Sequence, residues 1–295
     1  MADTHVAAIG CAFAGAVLFA VAAVAQQRAA AAVPEGEGLL RQLTRNPRWW
    51  AGMVGDAGGF GLQVAALALG SVLIVQPILV SALVFALPLA ARYSGRPVTA
   101  IMWAHAAALS IALAIFLVVG DPSDGITHAP WQRWVGPLVV LGALVAAAIT
   151  VALTVRRPTW QALLLGAAAG LLFGTSAAFT DNVTRLYADV GARALLTNWE
   201  TYALVATGIG GLYLQQRGYQ IGPLSASFPA FTVGEPLAAA AVGATVLDER
   251  LRTGPLGIAV VAAAAVVMCV AAVQLSRAEA GPDPVVSGPD STIAS

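Results

Sequence analysis

WWAGMVGDAGGFGLQVAALALGSVLIVQPILVSALVFALPLAAR, residues Trp49 to Arg92, is a stretch whose punctuation returns half a chain later at one constant spacing. Gly58 and Gly59 match Gly210 and Gly211, Gln63 matches Gln215, Gly70 matches Gly222, and Pro77 matches Pro229. An earlier echo accompanies each copy: Leu18, Phe19 and Ala23 match Leu172, Phe173 and Ala177. Both copies are apolar enough for a bilayer. Two similar hydrophobic halves in one chain are a signature of secondary transporters, whose site usually lies between the repeats.

Composition supports the membrane reading. The 295 residues are 59% hydrophobic and 10% charged, against about 25% charged in soluble domains, and the mean hydropathy is +0.80. Spans of about 20 residues with short connections use up nearly the whole chain, so one membrane domain is expected over 1–275. All fifteen basic residues are arginine and the formal net charge is zero, which gives no pull toward nucleic acid. Cys11 and Cys269 lie in apolar runs, where cysteine packs as a small hydrophobe rather than as a disulfide or metal pair. MADTH lacks the basic leader of a signal peptide, so the first apolar run is read as a retained span.

Apolar runs place nine helices near residues 6–25, 49–69, 71–91, 100–119, 134–155, 160–180, 195–215, 221–247 and 254–275. Long, unalternating runs indicate helices, since lipid offers unpaired backbone groups no partner. The expected fold is therefore all-α and polytopic. Spans one to four repeat as six to nine around the connecting fifth, giving repeat one over about 6–119, the connector over about 134–155 and repeat two over about 160–275. An odd number of spans separates equivalent helices, so the repeats enter the bilayer from opposite sides. The Gly70 and Gly222 junctions read as tight re-entry turns.

Ten of the fifteen arginines fall on one side of this layout. The positive-inside rule then puts the N-terminus outside and the C-terminus in the cytoplasm of a plasma (inner) membrane protein. Residues 276–295, rich in Pro, Gly, Ser and Asp, read as a disordered cytoplasmic tail. Leu39, Leu40 and Leu43 mark a short amphipathic helix suited to lying along the membrane surface.

The repeat, the tight Gly70 turn and the WWAG of Trp49 to Gly52 together resemble the drug/metabolite transporter (EamA-like) superfamily, and within it the NIPA-type magnesium transporters. Gln63 in mid-span, Pro77 after the turn, Pro229 in the second half, the LDER containing Asp248 and Glu249, and a last helix led by Gly254 carry the same likeness. The resemblance implies a secondary-transport fold with a small-molecule or ion substrate. Where that branch has an acid midway in the second span this chain has Phe60, with the nearest acid, Asp56, one turn earlier.

Glu235 is the sharpest chemical signal, an acid near the centre of the eighth span in FTVGEPLAAA. An acid at such depth costs about 2.5–3.5 kcal/mol on insertion scales, so it is expected to face a cavity or a partner. Pro236 beside it lacks a backbone donor and frees a carbonyl. Such a carboxylate either exchanges a proton for a cationic or polar substrate or contributes to a divalent-cation site, which wants several oxygens. Asp56 is the second acidic candidate, and Gln63 and Gln215 occupy matching places suited to a pseudo-two-fold site. Gln76 precedes Pro77, and Pro77, Pro229 and Pro236 are expected to break or kink their helices. Glycines 55, 58, 59 and 61, with 208, 210 and 211, read as helix-packing patches. His105 reads as an interhelical hydrogen-bond partner.

No Walker loop, dinucleotide fingerprint or HExxH occurs, so no enzyme activity or cofactor is expected. The leading expectation is a secondary transporter, with a NIPA-like divalent-cation transporter second and a non-transporting membrane scaffold third. The partners expected are the substrate and membrane lipid, and a homodimer leaves no distinctive signal. A transporter requires Glu235 and the glutamines to face one cavity, whereas a scaffold seals them in helix contacts.

Overall fold

The computed structural model describes residues 2–70, 72–95, 97–120, 126, 129–249, 251 and 253–279. Among these the chain is a bundle of helices: α1 (Ala2–Ala31), α2 (Leu39–Leu43), α3 (Pro47–Leu69), α4 (Val72–Val80), α5 (Ala82–Ser94), α6 (Ala100–Gly120), α7 (Trp131–Thr154), α8 (Pro158–Val190), α9 (Ala192–Thr197), α10 (Trp199–Ile221), α11 (Leu224–Val246) and α12 (Pro255–Glu279). Among the described residues seven segments are long and apolar enough to cross a membrane: Val6–Ala31 of α1, α3, Ile74–Ser94 across α4 and α5, α6, α7, Pro158–Thr184 of α8 and Pro255–Ala278 of α12. The protein is thus an all-α, polytopic membrane protein. The other two long helices, α10 and α11, fall below that apolarity because α10 holds Glu200, Arg217 and three glutamines while α11 holds Glu235 and two prolines.

The position of α11 explains how it tolerates that composition. Twelve of its 23 residues are buried, against four of the 24 in α7, so protein rather than lipid surrounds it. Its closest neighbour is α8, where Gly166, Gly170 and Gly174 repeat every four residues and form one stripe. A Cβ at Gly170 would lie 2.5 Å from the Phe231 carbonyl oxygen and one at Gly174 would lie 2.7 Å from Ala238 Cβ. Only glycine lets the two backbones approach this closely.

The expected glycine patches act in the same way. Gly59 receives the Phe19 ring and Gly211 the Phe173 ring, where an added Cβ would lie 2.9 and 3.0 Å away respectively. Gly58 faces Leu18 and Gly210 faces Leu172, while Gly61 meets nothing within 4 Å. These contacts join α1 to α3 and α8 to α10, between positions that the sequence echoes pair. The two re-entry turns also match: Gly70 and Gly222 are both extended, with φ −146° and −144°. At both positions a Cβ would lie 2.6 Å from an alanine Cβ, that of Ala8 or Ala162.

Several boundaries differ from expectation for physical reasons. The third predicted span is two helices, with the interruption at Ser81, one turn beyond Pro77. Pro229 and Pro236 lie inside an uninterrupted α11 and do not break it. Each still deletes one N–H, leaving the carbonyls of Ser225 and Thr232 without their helical donors. The last helix continues to Glu279, so residues 276–279 of the predicted tail are helical and Ser276 is buried; residues 280–295 lie outside the described residues. The short helix at Leu39–Leu43 is present, but Leu39 and Leu43 pack into a core cluster with Val33, Trp49 and Leu224 rather than facing outward. Because Leu43 is fully buried, Leu43→Ala is expected to cost about 2–4 kcal/mol, measurable as a lowered unfolding midpoint in detergent.

Two cation–π contacts gather helix ends at one end of the bundle. The Arg28 guanidinium sits 4.0 Å from the centre of the Tyr93 ring and that of Arg277 lies 5.5 Å from the centre of Trp160.

Candidate functional site

A cavity of about 680 Å³ lies within the bundle, walled by α1, α3, α4, α5, α6, α8, α10 and α11. Glu235, Asp56, Gln63, Gln215 and Gln76 all line it, as does Pro236. Pro77 and Pro229 do not, although the helices carrying them do. His105 on α6 is also outside the lining, and its Nδ1 is buried without a hydrogen-bond partner.

The walls match in pairs. Phe19 and Ala23 on α1 face the cavity as Phe173 and Ala177 do on α8. On α3 and α10 the pairs are Asp56 with Gly208, Phe60 with Leu212 and Gln63 with Gln215. Val80 and Leu83 correspond to Thr232 and Glu235 on α11. One aromatic pair, Phe19 with Phe173, and one amide pair, Gln63 with Gln215, are therefore shared between the two sets, while each acid is contributed by one set alone.

Glu235 is half-buried, and its carboxylate has no hydrogen-bond or ion-pair partner among the described residues. The glycine stripe of α8 passes directly behind its backbone, so the side chain is directed by close helix packing rather than by a polar anchor. One turn earlier Thr232 turns its hydroxyl to the Phe228 carbonyl at 2.8 Å, and its own carbonyl lacks the donor that Pro236 removes. Gln63 and Gln76 are also half-buried and likewise without a protein partner among the described residues. Gln215 hydrogen-bonds the Tyr219 side chain one turn on.

Asp56 sits differently. The Gln26 amide nitrogen donates to its carboxylate, and the Gln26 oxygen accepts from Gln216 Nε2 at 2.7 Å. Gln26 and Gln216 are 1% and 0% exposed, so this buried chain of amides joins α1 to α10 at the cavity wall. Gly52 makes room for it, since a Cβ there would lie 2.6 Å from Gln26 Cγ. One turn further, Gln220 Nε2 donates to the Val33 carbonyl at 2.7 Å, tying the same two chain segments again. A double-mutant cycle on Gln26→Leu and Gln216→Leu is expected to give a coupling energy of about 0.6–1.7 kcal/mol, read from unfolding midpoints of the two single variants and the double variant.

Gln26, Tyr219, Thr232, Phe228 and Phe231 join the lining without a sequence signal for it, and Phe19, Phe60 and Phe173 are marked in the sequence by the repeat or the resemblance and not as cavity residues. Gln26 and Tyr219 lie just beyond the ends of apolar runs, at 25 and 215, while the helices continue to 31 and 221.

The chain is 34% identical over 286 residues to the uncharacterized protein Cgl0250/cg0304 of Corynebacterium glutamicum, covering 95% of this chain and 98% of the relative. The chain belongs to the Cgl0250/cg0304 family. A match this long takes in every helix that walls the cavity rather than one segment of the chain. No protein-family profile matches the chain, and no solved structure matches it.

Proposed function

We propose that this protein is a secondary transporter of the drug/metabolite type that moves a small molecule or cation by alternating access. All nine long helical tracts cross the membrane on this reading, α10 and α11 being shielded by their neighbours. One module comprises α1, α3, α4–α5 and α6, the other α8, α10, α11 and α12, inverted relative to the first, with α7 as the connector. The N-terminus lies outside, and the arginine-bearing end with Arg28 and Arg277 lies in the cytoplasm of the plasma membrane.

One observation carries the reading: five polar residues from both halves of the sequence line a single cavity, and three of them, Glu235, Gln63 and Gln76, face it without a protein partner among the described residues. A scaffold has no use for an unpartnered acid inside an apolar bundle. The matched wall positions and the duplicated glycine contacts support rocking of one module against the other. Among the described residues no group of three or more His, Cys, Asp or Glu could hold a metal ion, so the divalent-cation reading gains no support from the cavity.

The test is reconstitution into liposomes with a panel of organic amines, amino acids, sugars and Mg²⁺, comparing the native chain with empty vesicles. Saturable uptake of at least one member is expected. Uptake of none above empty vesicles, with the protein shown to be folded, would leave the scaffold reading in possession.

A further inference from the structure

We infer that the cavity takes a monovalent organic cation with an apolar or aromatic body, its charged group held at Glu235. This rests on the transport reading above and deepens it.

The charge inventory of the walls is one-sided. Among the described residues two carboxylates line the cavity and no arginine or histidine does, while the chain contains no lysine. An anionic or zwitterionic ligand would bury its carboxylate or phosphate without a countercharge, which is strongly unfavourable. A cation meets the opposite situation. Of the two acids, Asp56 already accepts from Gln26, whereas Glu235 has no partner among the described residues. The site therefore presents one carboxylate with no protein donor among the described residues, beside the Thr232 carbonyl that Pro236 leaves without its helical donor.

The remaining surface selects the kind of cation. Phe231 precedes Glu235 by one helical turn and meets Phe173 edge to face, with ring centres 5.5 Å apart. Aromatic faces beside a carboxylate favour a weakly hydrated organic cation, through cation–π attraction and burial of its apolar body. A small hydrated metal ion gains little from such walls and wants more oxygen ligands. At about 680 Å³ the space suits a ligand of many heavy atoms.

A matched set separates the possibilities: 2-phenylethylamine, its N-methyl and N,N-dimethyl derivatives, 2-phenylethanol, 3-phenylpropanoate and Mg²⁺, titrated calorimetrically into purified full-length protein. The amines are expected to bind saturably, each at least about tenfold more tightly than the alcohol or the carboxylate. Glu235→Gln is expected to weaken the amines about tenfold or more. Phe231→Leu, which keeps the charge, should weaken the amines several-fold and leave the alcohol unchanged. Binding of none of the amines, equal or tighter binding of the alcohol or carboxylate, or amine affinity untouched by both substitutions would overturn the inference. Uptake of the same compounds into liposomes keeps the two proposals apart. Amine binding without uptake of any compound would count against transport and leave the ligand class standing. Uptake of the carboxylate but not the amines would do the reverse.

Discussion

Glu235→Gln is expected to lower the initial rate of substrate uptake about a hundredfold while leaving the protein as stable as the native chain. Removing the charge that holds a cation in a desolvated site costs about 2–5 kcal/mol of interaction, and an amide of nearly the same shape supplies none of it. Stability should not fall, because the native carboxylate has no hydrogen-bond or ion-pair partner among the described residues to lose and an unpaired charge in an apolar setting is itself a cost. Proteoliposome uptake and the unfolding midpoint of the same preparation check both halves. A variant that transports normally but unfolds earlier would make Glu235 a structural residue and remove it from the site.

Gly174→Leu is expected to have the opposite profile, with loss of the folded protein whatever the substrate. A Cβ at this position runs into the Glu235 carbonyl oxygen and lies 2.7 Å from Ala238 Cβ and 2.9 Å from the Ala239 backbone nitrogen. Backbone atoms of a packed helix cannot swing aside as a flexible side chain can, so α8 and α11 must separate. Overpacking of a core commonly costs about 1–3 kcal/mol, and a leucine wedged between two backbones belongs at or above the upper end. Gly142→Leu on α7 is the control, because that glycine is exposed and a Cβ there meets nothing within 4 Å. Size-exclusion profiles and unfolding midpoints should show Gly142→Leu as native-like and Gly174→Leu as aggregated or strongly destabilised. Equal behaviour of the two would mean that the α8–α11 contact does not hold the bundle together.

The polar members of the cavity were legible because a bilayer makes them expensive. Glu235, Gln63 and Gln76 each interrupt a run of apolar residues, and that interruption alone marks a side chain that must face protein or water, while Gln215 ends its run and is marked by its match to Gln63. The two Gly turns were legible from chemistry of a similar kind, since Gly70 and Gly222 end their helices in extended conformation. Other features were hidden by the same signal. Apolar runs stop before helices do, so Gln26 and Tyr219, each one helical turn or less beyond its run, looked like loop residues. The phenylalanines could not be told from lipid-facing ones, because hydropathy is blind to which side of a helix faces a cavity. The glycine stripe of α8 was present as a four-residue spacing, and only the backbone contact with α11 shows its consequence for Glu235. Leu39 and Leu43 had the pattern of a surface-lying helix, yet their apolar face finds Trp49 and Leu224 instead of lipid. Periodicity reports that a face is apolar and not what covers it.

Accessibility of Gln63→Cys tests the central claim most directly. With Cys11 and Cys269, both free, replaced by alanine, this position on α3 carries the single thiol and lines the cavity. A membrane-impermeant maleimide applied to sealed vesicles from either face is expected to label it from both faces, in separate preparations, as alternating access requires. Labelling from neither face, or from one face only under every condition, would contradict the account.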